Sequence, residues 1–253
     1  MNYLIKFMLH PIKLHSRRFE LKYVISPFLV DKIIADLMKY MDWDPFIAGQ
    51  KDKFYPVSSL YFDSIGYGCY NEKLYGLKVR RKVRLRSYSR DFREDDKIFL
   101  EIKRKDDIVV LKDRVIINKA DCRDFLEKKI NPLPLKNFSL SEQKVLKEIF
   151  WFKDYNCLLP QTMIIYNRQA LEDKLNQGVR VTFDSQIKAY PNKTSILSKK
   201  GVDIFPGKIV LELKCNNTIP WWLHRIIQKY QLNRTTYSKY CWGLYFLKKQ
   251  NYV

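Results

Sequence analysis

Eight stretches of the chain either alternate apolar with polar residues at period two or gather β-branched and aromatic residues, and they read as strands: 18–25, 57–63, 79–88, 97–104, 108–117, 162–170, 178–184 and 208–214. Between and after them the spacing turns helical. Helices are expected over 27–40, opened by Ser26 as N-cap and Pro27 at the first helical position, over 119–129, over 139–152 with Ser139 or Ser141 as cap, and over 219–231 and 237–249. No internal repeat, low-complexity tract or Gly/Ser linker breaks this order, so a single domain is expected over 1–253, with 1–16 as an N-terminal extension.

Successive side chains of a strand point to opposite faces, and here the charges keep to one of them. Arg80, Lys82, Arg84 and Arg86 share a face, while Val83 and Leu85 share the other. Glu101 and Lys103 oppose Leu100 and Ile102, Lys112 and Arg114 oppose Leu111 and Val115, and Glu212 and Lys214 oppose Leu211 and Leu213. Glu20 and Lys22 oppose Leu21 and Tyr23, and Arg180 and Asp184 oppose Val179, Val181 and Phe183. A solvated antiparallel sheet would give such alternation in any one strand. Repeated along the chain, beside amphipathic helices that need apolar strand faces to cover, it favours an α+β fold. The expected architecture is a closed eight-stranded antiparallel β-barrel, a tunnel with a charged interior surrounded by α-helices.

Composition narrows the partner. The 253 residues include 47 Lys and Arg against 27 Asp and Glu, a formal net charge of +20, with 46% hydrophobic and 15% aromatic residues. That apolar content supports a sizeable core and excludes general disorder, while the charge asks for a polyanion. Cys69, Cys122, Cys157, Cys215 and Cys241 are odd in number and include no CxxC pair, so neither a disulfide framework nor a zinc site is suggested and a reducing cytosol is expected. His10, His15 and His224 lack metal-binding spacing, so any metal would be held by oxygen. Met1 to Leu9 makes a poor signal peptide, and no apolar run approaches the roughly 18 residues needed to span a bilayer. A soluble cytoplasmic protein is expected, with peripheral docking on a separate membrane protein as the second option. There is no Walker A sequence, Gly66-Tyr67-Gly68 lacks the third glycine of a dinucleotide fingerprint, and no GxSxG elbow or Cys-His pairing points to covalent hydrolysis.

Directing Lys22, Arg84, Arg86, Lys103, Lys112, Arg114, Arg168, Arg180 and Lys214 into one cavity would be prohibitive unless anions fill it. A chain of phosphates fits: arginines offer bidentate forks to phosphate oxygens and lysines offer point charges. Lys239 follows Thr235, Thr236 and Ser238 near the start of the last helix, where free N–H groups also attract anions. Glu20, Glu101 and Glu212 are the minority charge on these faces. Each either pairs with neighbouring bases or holds a divalent cation that bridges phosphate oxygens, and Glu212 is the leading metal candidate. Tyr88, Tyr166 and Tyr237 read mainly as core or rim residues, with stacking on a nucleobase or bonding to phosphate as the alternative.

The ordered series Phe19-Glu-Leu-Lys-Tyr23, Leu60-Tyr-Phe-Asp63, Val83-Arg-Leu-Arg-Ser-Tyr88, Phe99-Leu-Glu-Ile-Lys-Arg104, Lys112-Asp-Arg-Val115, Tyr166-Asn-Arg168, Val179-Arg-Val-Thr-Phe-Asp184, Leu211-Glu-Leu-Lys214 and Ser238-Lys-Tyr240 resembles the VTC domain. That is the polyphosphate polymerase domain of the vacuolar transporter chaperone complex and its bacterial relatives, within the triphosphate tunnel metalloenzyme, or CYTH-like, superfamily. The resemblance spans about 17–247. It implies a tunnel in which basic residues grip a triphosphate and an acidic residue holds Mn²⁺ or Mg²⁺. In members with polymerase activity, the γ-phosphate of ATP passes to a growing inorganic polyphosphate chain. Carried over by position, Lys22, Arg84, Arg86, Lys103, Arg168, Arg180 and Lys239 would bind the reacting phosphates and Glu212 the metal. Lys82, Lys112, Arg114, Lys214, Glu20 and Glu101 would line the substrate path.

One departure discriminates among members. Where triphosphatases and adenylate cyclases of the superfamily begin with an ExExK strand, this chain reads Arg18-Phe-Glu20-Leu-Lys22. Arginine in place of the first glutamate removes a metal ligand and adds positive charge, which suits a polyphosphate-holding tunnel better than a two-metal hydrolase. The implied function is an ATP-dependent polyphosphate polymerase, with ATP and inorganic polyphosphate as partners. The alternatives are a tunnel triphosphatase acting on tripolyphosphate or nucleoside triphosphates, and a noncatalytic polyphosphate-binding module. Nucleic acid is disfavoured: no helix-turn-helix, RRM or zinc-finger signature is present, and the basic residues lie on strand faces beside glutamates.

Overall fold

The computed structural model describes residues 18–90, 97–107, 109–127, 133–175, 178–191, 201–216 and 218–252. The expected extension 1–16 lies outside the described residues, as do Ile108 at the start of one expected strand and Lys128 and Lys129 at the end of one expected helix.

Ten strands form one antiparallel sheet. Its main path runs β1 (Arg18–Ile25), β10 (Ile209–Asn216), β8 (Arg180–Pro191), β7 (Leu159–Asp173), β3 (Tyr55–Asp63), β4 (Arg80–Ser87), β5 (Ile98–Asp106) and β6 (Val109–Ile117). Two short strands lie off that path, β2 (Met41–Trp43) on β7 and β9 (Val202–Asp203) on β8. All eight expected strands are present, β7 and β8 longer than read. The alternation of β8 changes phase within the strand: its pairing with β7 shifts between Ile165 and Asn167, and Gln186 adopts a φ of 50°. A bulge swaps the faces of the residues beyond it, so a strict period-two reading stops there.

The sheet curls into a half-barrel, but among the described residues no ladder joins β1 to β6. Full backbone closure was expected. Here side chains span the gap instead, with Lys103 of β5 donating to Glu20 of β1 at 3.1 Å.

The outer face of the sheet carries the apolar half of each strand and is roofed by two sets of helices. α4 (Lys119–Glu127) and α5 (Leu140–Tyr155) place Phe125, Leu146 and Ile149 against Val83, Leu85, Leu100, Ile102 and Val115. α1 (Val30–Leu37) and α6 (Trp221–Lys229) place Ile33, Leu37, Trp222 and Leu223 against Leu21, Val181, Phe183, Leu211 and Leu213. Ser139 opens α5 with a full capping box to Glu142. The expected helix over 27–40 is shorter: Pro27–Leu29 forms a 3-10 turn, Ser26 makes no side-chain cap, and the chain enters β2 at Met41. α2 (Pro45–Ala48) and α3 (Gly68–Leu74) were not anticipated, because neither is long enough to show a helical period.

α7 (Lys239–Lys249) packs on the inner side, where Tyr240, Leu244 and Leu247 join Tyr61, Ile164, Tyr166 and Ala189, with Ile47 of α2 and Tyr70 of α3, in a third cluster. A Cβ at Gly243 would lie 2.4 Å from Ile164 Cδ1, so glycine is what lets the helix seat this close to β7.

Candidate functional site

Strand register places the charges of neighbouring strands side by side on the inner face. Lys22 faces Glu212 and Glu20 faces Lys214 between β1 and β10, while Thr182 and Arg180 of β8 lie across from Glu212 and Lys214. Arg168 faces Asp184, Tyr61 and Ser59 face Arg84 and Arg86, and Arg84 and Lys82 face Glu101 and Lys103. Beyond them Arg114 and Lys112 of β6 complete the series. Lys239 arrives separately, from the first turn of α7.

Three clusters result. In the first, Glu101 is 1% exposed, accepts from Arg84 Nε at 2.6 Å, and lies 2.5 Å from Lys112 Nζ and 4.0 Å from Arg86 Nε. Arg84 also donates to Tyr61 Oη at 2.8 Å, and Arg86 to Ser59 Oγ at 3.1 Å and Tyr166 Oη at 3.4 Å. Burial works against the Glu101 charge, yet Arg84, Arg86 and Lys112 hold its carboxyl far below the usual range. The Lys112 ammonium is pushed down to about 7 by burial and by Arg84, against the pull of Glu101. Tyr61, also buried, is drawn below the ordinary phenol value by Arg84 and Arg86, which outweigh the opposing effect of burial.

In the second, Lys22 Nζ lies 3.0 Å from Glu20 Oε1 and donates to the Tyr237 carbonyl at 3.3 Å, and Lys214 Nζ lies 3.0 Å from Glu212 Oε1. Glu212 is held well below the carboxylate range because Lys214 and Lys22 overcome its burial, with a hydrogen bond to Glu20 adding to the effect. Lys214 is pushed down to about 8 by burial, with Glu212 pulling it up and Arg168 pushing further down.

The third centres on Asp184, which is fully buried. Arg168 grips it with both nitrogens, Nε to Oδ1 at 2.7 Å and Nη2 to Oδ2 at 2.8 Å, and Lys239 Nζ comes within 2.6 Å of Oδ2. Arg168 and Lys239 both lie over the Tyr166 ring, at 5.2 and 4.9 Å from its centroid. Despite burial, these two cations hold Asp184 below the ordinary range.

The remaining expected residues share the face but are engaged elsewhere. Arg180 pairs with Asp44 and with Glu172 at 2.6 Å. The Arg114 guanidinium stands 5.0 Å over Phe99, and Lys82 contacts Cys241 Sγ at 3.3 Å and the Tyr240 ring at 4.9 Å. Sequence reasoning did not single out Asp184, Tyr61, Ser59 or Thr182 as site residues. Asp184 carried the signal, since it shares parity with Arg180, but Val57, Ser59 and Tyr61, the inward positions in the middle of β3, are uncharged, so a search for charged faces passes over Ser59 and Tyr61.

Lys22, Arg84, Arg86, Lys103, Lys112, Arg168, Lys214 and Lys239 outnumber Glu20, Glu101, Asp184 and Glu212 two to one on this face, with Arg86, Arg168, Glu101, Asp184 and Glu212 buried. The Thr182 and Tyr237 hydroxyls are buried there without hydrogen-bond partners. An excess of partly shielded cations beside buried hydroxyls that lack partners suits an extended polyanion. Among the described residues no group of three or more His, Cys, Asp or Glu converges on a metal position. Glu20 and Glu212 lie on the paired strands β1 and β10, two register positions apart. Two adjoining carboxylates fit a hard cation that completes its shell with phosphate oxygens and water.

The family model of the VTC domain matches residues 17–248. Among solved structures, a candidate adenylate cyclase from Bacillus halodurans shares the fold, with a TM-score of 0.53 at 12% identity over 87% of this chain and 92% of that one. A candidate adenylyl cyclase from Hippeastrum, described as having a dominant triphosphatase activity, aligns with a TM-score of 0.44 at 14% identity over 88% of this chain and 92% of that one. No curated protein matches the chain by sequence. No helix among the described residues is long and apolar enough to cross a membrane.

Proposed function

The chain belongs to the VTC domain family, and on that premise we propose that it is a phosphotransferase that moves the γ-phosphate of ATP onto the end of a growing inorganic polyphosphate chain. The carrying observation is the two-to-one surplus of cations on one continuous face, Arg86 and Arg168 buried and the others partly shielded, each paired with a carboxylate that an arriving phosphate can replace. Residues 17–248 act in this reading as one domain around one channel.

Arg84, Arg86 and Arg168 supply planar forks for the phosphates that react, while Lys22, Lys103 and Lys239 supply point charges between them. Lys82, Lys112, Arg114, Arg180 and Lys214 line the path of donor and chain. The terminal phosphate of the chain is already an anionic nucleophile: its oxygen attacks Pγ, the bond from Pγ to the bridging oxygen of the β-phosphate breaks, and ADP departs. No strong general base is required, so alignment and charge neutralisation can carry the rate. His224, the one histidine among the described residues, is exposed on α6. Glu212, with Glu20 beside it, would hold Mn²⁺ or Mg²⁺, which when bound neutralises and orients phosphoryl oxygens. With two carboxylates rather than a larger acidic set, transfer between phosphates is favoured over metal-activated water attack.

The test is to incubate the protein with ATP and Mn²⁺ or Mg²⁺ and to resolve polyphosphate on gels beside a free-phosphate assay. Long polyphosphate with ADP is expected, falling by on the order of a hundred-fold or more in Arg84→Ala and Glu212→Ala. Free phosphate without polymer would replace this reading with the triphosphatase. Tight, salt-sensitive polyphosphate binding without turnover would replace it with a noncatalytic binding module.

A further inference from the structure

Four aromatic rings form an unbroken chain along one end of the charged face. Phe46 lies 6.5 Å from Tyr55, Tyr55 lies 5.6 Å from Tyr88 at 73°, and Tyr88 lies 5.5 Å from Phe99 at 76°. Register ties this collar to the site, because Tyr55 is the cross-strand partner of Arg168 and Phe99 that of Arg86, while Tyr88 follows Arg86 by two positions. The outer rings are poorly covered: Phe46 is 79% and Tyr88 39% exposed. Core packing does not explain Phe46, since α2 is anchored by buried Ile47 and capped by Asp44, which accepts from the Phe46 N–H. Cations flank the rings, with Arg114 over Phe99 and Arg180 donating to Tyr55 Oη at 3.4 Å.

We propose that this collar is the stacking site for the base of the donor nucleotide, resting on the phosphotransferase reading above. A triphosphate lying on Arg86 and Arg168 carries its nucleoside at one end, and the collar is the apolar surface that adjoins those two arginines. Inorganic polyphosphate has no base and gains nothing from the rings. Every nucleobase offers a π-face, so stacking of this kind tolerates any base and favours the larger purines, with Arg114 adding a cation–π contribution.

The experiment is equilibrium titration of the whole chain with ATP and, separately, with inorganic tripolyphosphate, comparing the parent protein with Phe46→Ala and Tyr88→Leu. Each substitution is expected to weaken ATP binding by on the order of ten-fold while leaving tripolyphosphate binding within about two-fold, and Phe46→Trp should retain the parent affinity. The proposal is overturned if ATP binding is unchanged in both variants, or if ATP and tripolyphosphate weaken together. A parent protein that binds tripolyphosphate but shows neither selective loss leaves the phosphate channel standing and removes only the collar. A parent protein that binds neither ligand removes both.

Discussion

In the proposed phosphotransferase, Asp184 would stand in the free protein where a phosphate binds during turnover. It is fully buried, doubly bonded by Arg168 and approached by Lys239, and without it two cations would sit in the interior uncompensated. Asp184→Asn should therefore cost about 3–5 kcal/mol of stability, read as a lower urea midpoint. The pH dependence follows from the sign of the shift: a carboxyl held below its unfolded value contributes stability above that value and loses it as pH falls through the folded one. The gap between the parent and the Asn variant should accordingly narrow in acid. Because tripolyphosphate can take over from the missing carboxylate, it should raise the midpoint of the variant more than that of the parent. A variant as stable as the parent, or one that gains no more from the anion, would remove Asp184 from this role. Parity alone placed Asp184 on the inner face with Arg180, but parity assigns a face and not a partner. The bidentate bond to Arg168 arises from the pairing of β7 with β8, which no local pattern records.

At the level of elements, the placing of Lys239 depends on how α7 is seated. Asp63, the last residue of β3, accepts at Oδ1 from the Ser64 and Cys69 N–H groups and at Oδ2 from Tyr70 N–H and from Tyr240 Oη at 2.5 Å. One carboxylate thus binds the start of α3 and pins the first turn of α7, where Tyr240 also stacks on Tyr61 at 5.1 Å. Tyr240→Phe keeps the ring and removes the donor. It should cost about 1–3 kcal/mol in denaturant titration and, by loosening the turn that carries Lys239, lower tripolyphosphate affinity several-fold. Unchanged affinity in a destabilised variant would uncouple the seating of α7 from the site. The strands were legible because one face of each is apolar and the other charged, and α7 because its apolar positions recur at helical spacing. β2, β9, α2 and α3 were not, being too short to express any period. Asp63 stood within a recognisable motif, yet its partner Tyr240 lies 177 residues away, beyond the reach of local pattern.

Over the whole molecule, the charged face and the open edge of the sheet belong to one electrostatic problem. Alternation told which side of each strand turns inward, but closure depends on tilt and stagger, which alternation does not encode. The described sheet ends at β1 and β6, with cations near both margins: Lys22 on β1, Lys103 on β5 and Lys112 on β6. Burial lowers Lys103 and Lys112 below the usual ammonium range, and the neighbouring cations Lys22 and Arg84 lower them further, against the pull of Glu20 and Glu101. The Lys103–Glu20 bridge links side chains across the margins, and with Lys103 37% exposed at its side chain it contributes little on its own. A polyphosphate chain contacting Lys22 and Lys103 together would add charge-assisted bonds across the gap. Hydrogen exchange with and without tripolyphosphate should therefore show slowed amides in β1, β5 and β6, while β3 and β7, paired on both sides already, change little. The protection should shrink as salt is raised, because the exposed part of these contacts is screened. Protection spread evenly over the sheet, or absent from β1 and β6, would mean that the anion fills a channel whose walls are already fixed.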